Sequence, residues 1–129
     1  YILKGVRMIK GWVVIARPKF LHWLDSQDKL IQKRVAVSLQ MLEDMGPSLG
    51  RPYADTVYGS RFKNMKELRI QCQGRPIRAF FAFDPKRQAI VLCAGDKTGD
   101  KRFYEKLIPM ADAEFQLYMQ EEEFKSEEK

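Results

Sequence analysis

The sequence predicts an α+β fold in a single domain spanning residues 1–129, with an antiparallel, twisted sheet, two N-terminal helices packed on one face and a C-terminal helix. Three observations predict it. Residues 68–94 contain three strand-like runs joined by short turns, residues 18–45 have apolar positions at helical spacing, and residues 101–118 carry a second helical stripe. At 129 residues and 45% hydrophobic, the chain can bury one core.

The three strand-like runs predict an antiparallel meander. Residues 68–73 alternate apolar and polar side chains, the period of a strand with one buried face. Residues 77–83 place Arg78 and Phe80 on one face, which we expect to be the less buried one. Residues 89–94 are apolar at every position, as in a central strand covered on both faces.

The segment before the meander predicts one strand, two helices and a loop. Residues 12–16 form a short apolar run typical of an edge strand, and Pro18 is suited to the first turn of a short helix. Asp25 or Ser26 is the expected cap of a longer helix, which Gly46 and Pro47 should end. Its apolar positions are Ile31, Val35, Leu39, Leu42 and Met45. Residues 47–60 have no sustained period and predict an irregular loop.

Both ends of the chain carry expectations of their own. The chain opens on Tyr1 rather than Met, so part of residues 1–10 is expected to be foreign to the natural protein, with Met8 as a candidate start. After a loop at 95–100, a helix should run from about Lys101, and Pro109 should kink or restart it. Residues 121–129 are acidic and are expected to fray.

Positive charge is concentrated on the meander and its flanks. Residues 61–106 contain 12 Lys or Arg against 5 acidic residues, a net charge of +7, whereas the whole chain carries +6. This asymmetry favours a polyanionic partner. No apolar run is long enough to span a membrane, and Cys72 and Cys93 lie inside strand patterns without a CxxC pair, which argues against metal and redox chemistry and indicates the cytoplasm. The lone His22 is interpreted as structural.

Cations interleaved with aromatic residues suit RNA. Lys and Arg neutralise phosphates, and Tyr or Phe can stack on an unpaired base. Cleavage of RNA needs more, namely a base for the 2′-hydroxyl proton, cations for the charged phosphorane and an acid for the 5′-oxygen. A Lys whose pKa is lowered by neighbouring cations could serve as that base. The cations and rings in question are Lys63, Lys66, Arg69, Arg78, Lys97, Lys101, Arg102, Phe80 and Tyr104.

The motifs GSRFKNMKELR, GRPIRAFFAFDP and GDKTGDKRFYEKLIP, within residues 51–111, resemble the HigB branch of the RelE/ParE toxin superfamily. These are the phage Gp49-like type II toxins encoded beside a helix-turn-helix antitoxin. The resemblance implies a RelE-like fold and a toxin that cleaves mRNA in the ribosomal A site, needs no cofactor and no metal, and is silenced by a HigA-like antitoxin. That antitoxin is expected to cover the basic face or to block entry to the ribosome.

The resemblance also assigns residues to the site. Arg78 corresponds to the Arg that contacts the scissile phosphate, Lys97 to the basic residue after the central strand, and Tyr104 to the aromatic residue that stacks on a base. Lys66 and Arg69 match the basic pair of the KELR strand. A regular strand puts these two on opposite faces, so Arg69 is expected to pair with Glu67 or Asp84 instead. Arg61, Lys63, Arg75, Lys101 and Arg102 are expected RNA contacts. Some HigB toxins place His and Asp at the site, and this sequence lacks that pair.

Two other readings stay open. ParE toxins share the fold but poison DNA gyrase without being nucleases, and a fold alone does not decide function. A nucleic-acid-binding relative without activity is the third reading. The set of Arg78, Lys97 and Tyr104 favours the nuclease, because a gyrase poison has no need for a phosphate-facing Arg beside a stacking ring.

Overall fold

The computed structural model describes residues 11–127, so the expectations for residues 1–10, including Met8, lie outside it. Within that range the α+β prediction is confirmed. The elements, in chain order, are β1 Val13–Ala16, α1 Pro18–Asp25, α2 Lys29–Met45, a 3-10 turn Gly46–Ser48, β2 Ala54–Thr56, β3 Lys66–Cys72, β4 Arg75–Phe83, β5 Gln88–Asp96 and α3 Phe103–Glu127. No helix in this described part is both long and apolar enough to cross a membrane.

The five strands form one mixed sheet in the order β1-β5-β4-β3-β2. The meander β3-β4-β5 is antiparallel as predicted, and β2 adds to β3 in the same sense. The edge strand β1 pairs parallel to β5, so the expectation of a purely antiparallel sheet was wrong in this respect. Helices α1 and α2 lie between β1 and the meander in sequence, and a crossover of this length lets the strands run parallel.

Each face of the sheet buries its own apolar cluster. Helices α1 and α2 pack on one face, where Phe20, Ile31 and Leu39 meet Leu68 and Phe81. Helix α3 packs on the other face, where Phe115 and Tyr118 belong to the same cluster as Phe80, Ile90 and Leu92. Strand β5 is covered on both faces, as its continuous apolar run predicts.

Three local expectations need correction. Helix α2 is capped by Asp28, whose Oδ1 accepts from the Ile31 amide at 2.9 Å, and not by Asp25 or Ser26, because α1 extends through Asp25 and Ser26 closes it. The predicted loop at 47–60 contains strand β2. This strand has only three residues, which are too few to show a periodic pattern in the sequence.

Helix α3 is also longer than predicted. It passes Pro109 without a break in the helix and continues to Glu127, so the expected kink or restart at Pro109 was wrong in that the helix is not divided there. Ion pairs hold this end. Glu121 contacts Arg17 at 2.8 Å, and Glu122 contacts Lys86 at 3.1 Å.

Candidate functional site

The candidate site lies on the α3 face of the sheet, beside the start of that helix. In the register of β3 and β4, Arg69 lies opposite Arg78 and Glu67 lies opposite Phe80. On the next strand, Asp55 of β2 lies opposite Glu67. Helix α3 packs against β5 and β4. The polar side chains of Asp55, Glu67 and Arg69 on β2 and β3 therefore lie beside α3 and are not covered by its apolar side.

Arg78 is the most buried cation in this group, with a relative exposure of 4%. Its Nη1 donates to the Ile77 carbonyl at 3.1 Å, and its Nε lies 3.9 Å from Oε1 of Glu67, too far for a hydrogen bond. Nε has no hydrogen-bond partner in the described residues. The sequence placed Arg78 on a less buried face, which was wrong, because Glu67 and Tyr104 lie against it. A buried, incompletely paired guanidinium is suited to an incoming anion.

Tyr104 and Lys97 complete a four-residue group with Glu67 and Arg78. The Tyr104 hydroxyl donates to Oε1 of Glu67 at 2.8 Å. Burial raises the pKa of Tyr104, the hydrogen bond and negative charge of Glu67 raise it further, and Arg78 partly offsets both. Lys97 holds its Nζ 5.3 Å from the centre of the Tyr104 ring.

The start of α3 is held close to the sheet by aromatic packing. The Tyr104 ring meets Phe80 edge to face at 6.0 Å and Phe103 at 5.2 Å. Gly95 makes this approach possible, because a Cβ there would lie 3.0 Å from the Phe103 ring. The sequence GDKTGDKRFY therefore positions both Lys97 and Tyr104 over β4.

A pocket of about 330 Å³ opens next to this group and is lined by Arg51, Pro52, Arg69, Gln71 and Arg78. Asp55 borders it. Its Oδ2 accepts from Nε of Arg51 at 2.9 Å and from Nη1 of Arg69 at 3.4 Å. Arg69 does pair with a carboxylate, as expected, but the partner is Asp55 of β2 instead of Glu67 or Asp84. The unforeseen strand β2 explains the difference.

The structure brings some of the predicted catalytic residues together and separates others. Arg78, Lys97 and Tyr104 share one site, and Arg69 lines the adjoining pocket. Lys66 follows the opposite face of β3 from Glu67, as strand alternation predicted.

The predicted RNA contacts are scattered. Arg75 follows the α2 face and lies 3.6 Å from Asp28, so it is outside the site. Arg61 donates to Gln116 at 2.7 Å, and Arg102 lies 3.9 Å from Glu105. Lys63 and Lys101 are exposed.

Sequence reasoning missed four residues at the site: Glu67, Arg51, Asp55 and Gln71. Glu67 could have been found, because strand alternation puts it on the face of Arg69, opposite Phe80. Arg51 and its pocket could not, because nothing in residues 47–60 signals a strand that would bring them beside β3.

Comparison with known families and proteins gives consistent results. A family model described as phage derived protein Gp49-like (DUF891) matches residues 22–116, which include α2, the whole meander and the first half of α3.

Two proteins of Mycobacterium tuberculosis are similar in sequence. The chain is 47% identical over 107 residues to a protein named as toxin HigB2, covering 81% of this chain and 53% of that protein. It is 47% identical over 100 residues to one named as toxin HigB3, covering 77% of this chain and 86% of that protein. The chain thus spans about half the length of the first relative.

A solved structure shares the fold. It is that of a mutant of the E. coli toxin RelE in the free state, with a TM-score of 0.56 and 8% identity, covering 76% of this chain and 96% of that one. At this identity the likeness concerns the backbone architecture alone.

Proposed function

Because the chain belongs to the Gp49-like family, we propose that it is a HigB-like toxin with a RelE-like fold and that it acts as a ribosome-dependent endoribonuclease that cleaves mRNA in the A site. The observation that carries this proposal is Arg78. Its guanidinium is buried, its Nε lacks a hydrogen-bond partner in the described residues, and it lines a pocket on one side and faces Glu67, the carboxylate that accepts from Tyr104, on the other. A phosphate oxygen is the natural partner for such a guanidinium.

Glu67 supplies the base that the sequence left unassigned. In this proposal its carboxylate takes the proton of the 2′-hydroxyl, and the 2′-oxygen attacks the adjacent phosphorus. The bond from phosphorus to the 5′-oxygen breaks, leaving a 2′,3′-cyclic phosphate. Arg78 and Lys97 stabilise the negative charge that develops on the phosphorane oxygens. No metal enters this scheme.

Tyr104 supplies the proton for the 5′-oxygen. The phenol is protonated at neutral pH, and burial and Glu67 raise its pKa further, so it gives up its proton only to a strong base such as the 5′-alkoxide that forms as the bond to phosphorus breaks. After transfer, its phenolate recovers a proton from Glu67 across the same 2.8 Å hydrogen bond, which returns both groups to their initial state. The family resemblance implies that the Tyr104 ring stacks on a base, and Lys97 lies over one face of that ring.

The proposed partner is a HigA-like helix-turn-helix antitoxin. The net positive charge of residues 61–106 is suited to an acidic or apolar segment that covers the site or keeps the toxin off the ribosome. Action on ribosomes would place the toxin in the cytoplasm.

Primer extension on a defined mRNA in a purified translation system, with and without ribosomes, tests the nuclease. Wild type should cut within A-site codons only when ribosomes are present. Glu67→Gln and Arg78→Gln should each lower the cleavage rate about 100- to 1000-fold, the typical effect of removing one group that acts in the transition state. Circular dichroism must first show that both variants are folded.

Arg34→Ala is a matched control, because Arg34 is an exposed cation on α2, across the sheet from the site. It should cleave as wild type does. Wild-type rates from both site variants would remove Glu67 and Arg78 from the mechanism. Growth arrest with DNA damage and no mRNA cuts would favour the gyrase reading instead.

A further inference from the structure

We propose that Arg51, Arg69 and Gln71 form a second phosphate subsite, which binds a backbone phosphate next to the one that is cut, and that Asp55 occupies this subsite until RNA displaces it. The inference rests on the proposed function in taking RNA as the ligand. It assigns a role to the β2 edge, which the reaction described above does not use.

The pocket is continuous with the catalytic group through one residue. Arg78 lines the pocket and also lies beside Glu67, so a strand of RNA that places one phosphate at Arg78 brings a neighbouring phosphate towards Arg51 and Arg69. Gln71 adds an exposed amide at the same wall. The row of side chains crosses from β4 to the loop before β2, so the proposed RNA path runs across the strands.

Asp55 makes contacts that resemble those of a bound phosphate. Its Oδ2 lies 2.9 Å from Nε and 2.8 Å from Nη2 of Arg51, so both nitrogens of one guanidinium edge converge on a single anionic oxygen. The hydrogen bond from Arg51, followed by that from the Thr56 amide, lowers the pKa of Asp55 and keeps it ionised. Arg69 approaches the same oxygen at 3.4 Å. This geometry fits phosphate oxygens equally well.

The Arg51 pair is suited to exchange. The Arg51 side chain is 74% exposed, and exposed ion pairs contribute little to stability, so an incoming phosphate can displace Asp55 from this guanidinium at small cost. Arg78 differs, because it is buried and unable to swing away. The site therefore combines a fixed cation at the cut with a movable cation beside it.

Tyr53 offers a surface for the neighbouring base. The carbonyl of Tyr53 accepts from the Arg69 amide at 2.8 Å, which places the two residues side by side across the β2-β3 ladder. Tyr53 lies in the turn directly before β2, so this backbone contact with Arg69 keeps it next to a residue that lines the pocket. Its relative exposure is 51%, enough for one ring face to stack on a base.

Binding of a 2′-O-methyl RNA oligonucleotide, which cannot be cut, tests the subsite without catalysis. Fluorescence anisotropy at low salt would measure the dissociation constant. Asp55→Asn should tighten binding about two- to fivefold, because Arg51 and Arg69 no longer need to leave a carboxylate. Arg51→Ala should weaken it about tenfold, and Tyr53→Ala should weaken it while Tyr53→Phe does not.

Matched controls separate a local effect from net charge. Asp44→Asn and Arg34→Ala make the same charge changes at exposed positions of α2, on the other side of the sheet. Equal effects from Asp55→Asn and Asp44→Asn, or unchanged binding by Arg51→Ala, would overturn the subsite. The subsite would also be overturned if Asp55→Asn tightened the binding of an acidic peptide of matched charge as much as that of the oligonucleotide, because the site would then bind a protein.

The two proposals can fail separately. Ribosome-dependent cuts by wild type, with oligonucleotide binding insensitive to Asp55 and Arg51, would keep the nuclease and overturn the subsite. A different pair of results would overturn both the nuclease and RNA as the ligand. Wild type would make no cuts, and Asp55→Asn would bind inorganic pyrophosphate more tightly without binding the oligonucleotide.

Discussion

Two tyrosines on α3 each donate to a buried carboxylate, and their surroundings differ. At the start of the helix, Tyr104 donates to Glu67 at 2.8 Å, and the nearby Arg78 has an Nε without a hydrogen-bond partner in the described chain. Further along the helix, Tyr118 donates to Asp84 at 2.6 Å. Gln88 contacts both members of this second pair, at 2.6 Å and 3.1 Å.

The arginines beside the two pairs show the same contrast. Arg17 donates to Glu114 at 2.8 Å and to Glu121 at 2.8 Å and 3.1 Å, and its guanidinium lies 5.7 Å from the Tyr118 ring. Arg17 therefore donates to two carboxylates of α3, and these bonds hold α3 against the junction of β1 and α1. Arg78, in contrast, has an Nε that makes no hydrogen bond within the described residues. Arginine, tyrosine and carboxylate side chains thus stabilise the packing of α3 around Tyr118, and the same residue types form the candidate site around Tyr104.

The largest effect on stability should come from Arg17→Ala. Removing this guanidinium leaves Glu114 as a buried carboxylate without its cation, which should lower the free energy of unfolding by about 3 kcal/mol. Urea unfolding followed by circular dichroism would measure it. The cleavage rate per folded molecule should stay at the wild-type level, because Arg17 is remote from Arg78.

Arg61→Ala is the control for Arg17→Ala. Arg61 lies 3.9 Å from Asp112, but its side chain is 60% exposed, so its loss should cost about 1 kcal/mol or less. A cost for Arg17→Ala no greater than that for Arg61→Ala would show that the Arg17 network does not fasten the helix.

The next effect compares the tyrosines directly. Tyr118→Phe removes one donor from buried Asp84 and should lower the free energy of unfolding by about 1–2 kcal/mol while leaving cleavage intact. Tyr104→Phe also removes a donor from a buried carboxylate, so it should cost a similar amount of stability, and it should slow cleavage strongly if Tyr104 protonates the 5′-oxygen. Thermal melts and primer extension on both variants would decide. Loss of activity in Tyr118→Phe alone would show that Tyr118, and not Tyr104, belongs to the active site.

The sequence predicted the parts of the fold that depend on periodic burial. Residues 68–94 gave the meander because strand alternation and a fully apolar run reflect which faces are covered, and the stripe from Ile31 to Leu42 gave α2 for the same reason. Helix capping was predicted one turn too early, because Asp25, Ser26 and Asp28 are all good caps and only the length of α1 chooses among them.

The site was predicted less completely. Arg78, Lys97 and Tyr104 came from the family resemblance, and their meeting depends on α3 packing over β4, which no local pattern encodes. Burial of Arg78 is likewise a tertiary effect. Arg51 and Asp55 depend on β2, three residues whose strand conformation comes from pairing with β3 and not from their own propensity.

The smallest effect concerns alkaline pH and sharpens the contrast between the two tyrosines. Burial, and then the hydrogen bond to Asp84, raises the pKa of Tyr118 well above its usual value of 10, and only Gln88 opposes this. Above about pH 9 the unfolded chain loses this proton first, so the free energy of unfolding should fall as pH rises, by on the order of 1 kcal/mol between pH 9 and 10.5 from this residue. Tyr118→Phe should flatten that part of the profile. Tyr104→Phe should flatten it less, because Arg78 opposes the pKa shift of Tyr104. Urea titrations at stepped pH would measure both slopes, and an equal change in the two variants would mean that Arg78 does not act on Tyr104.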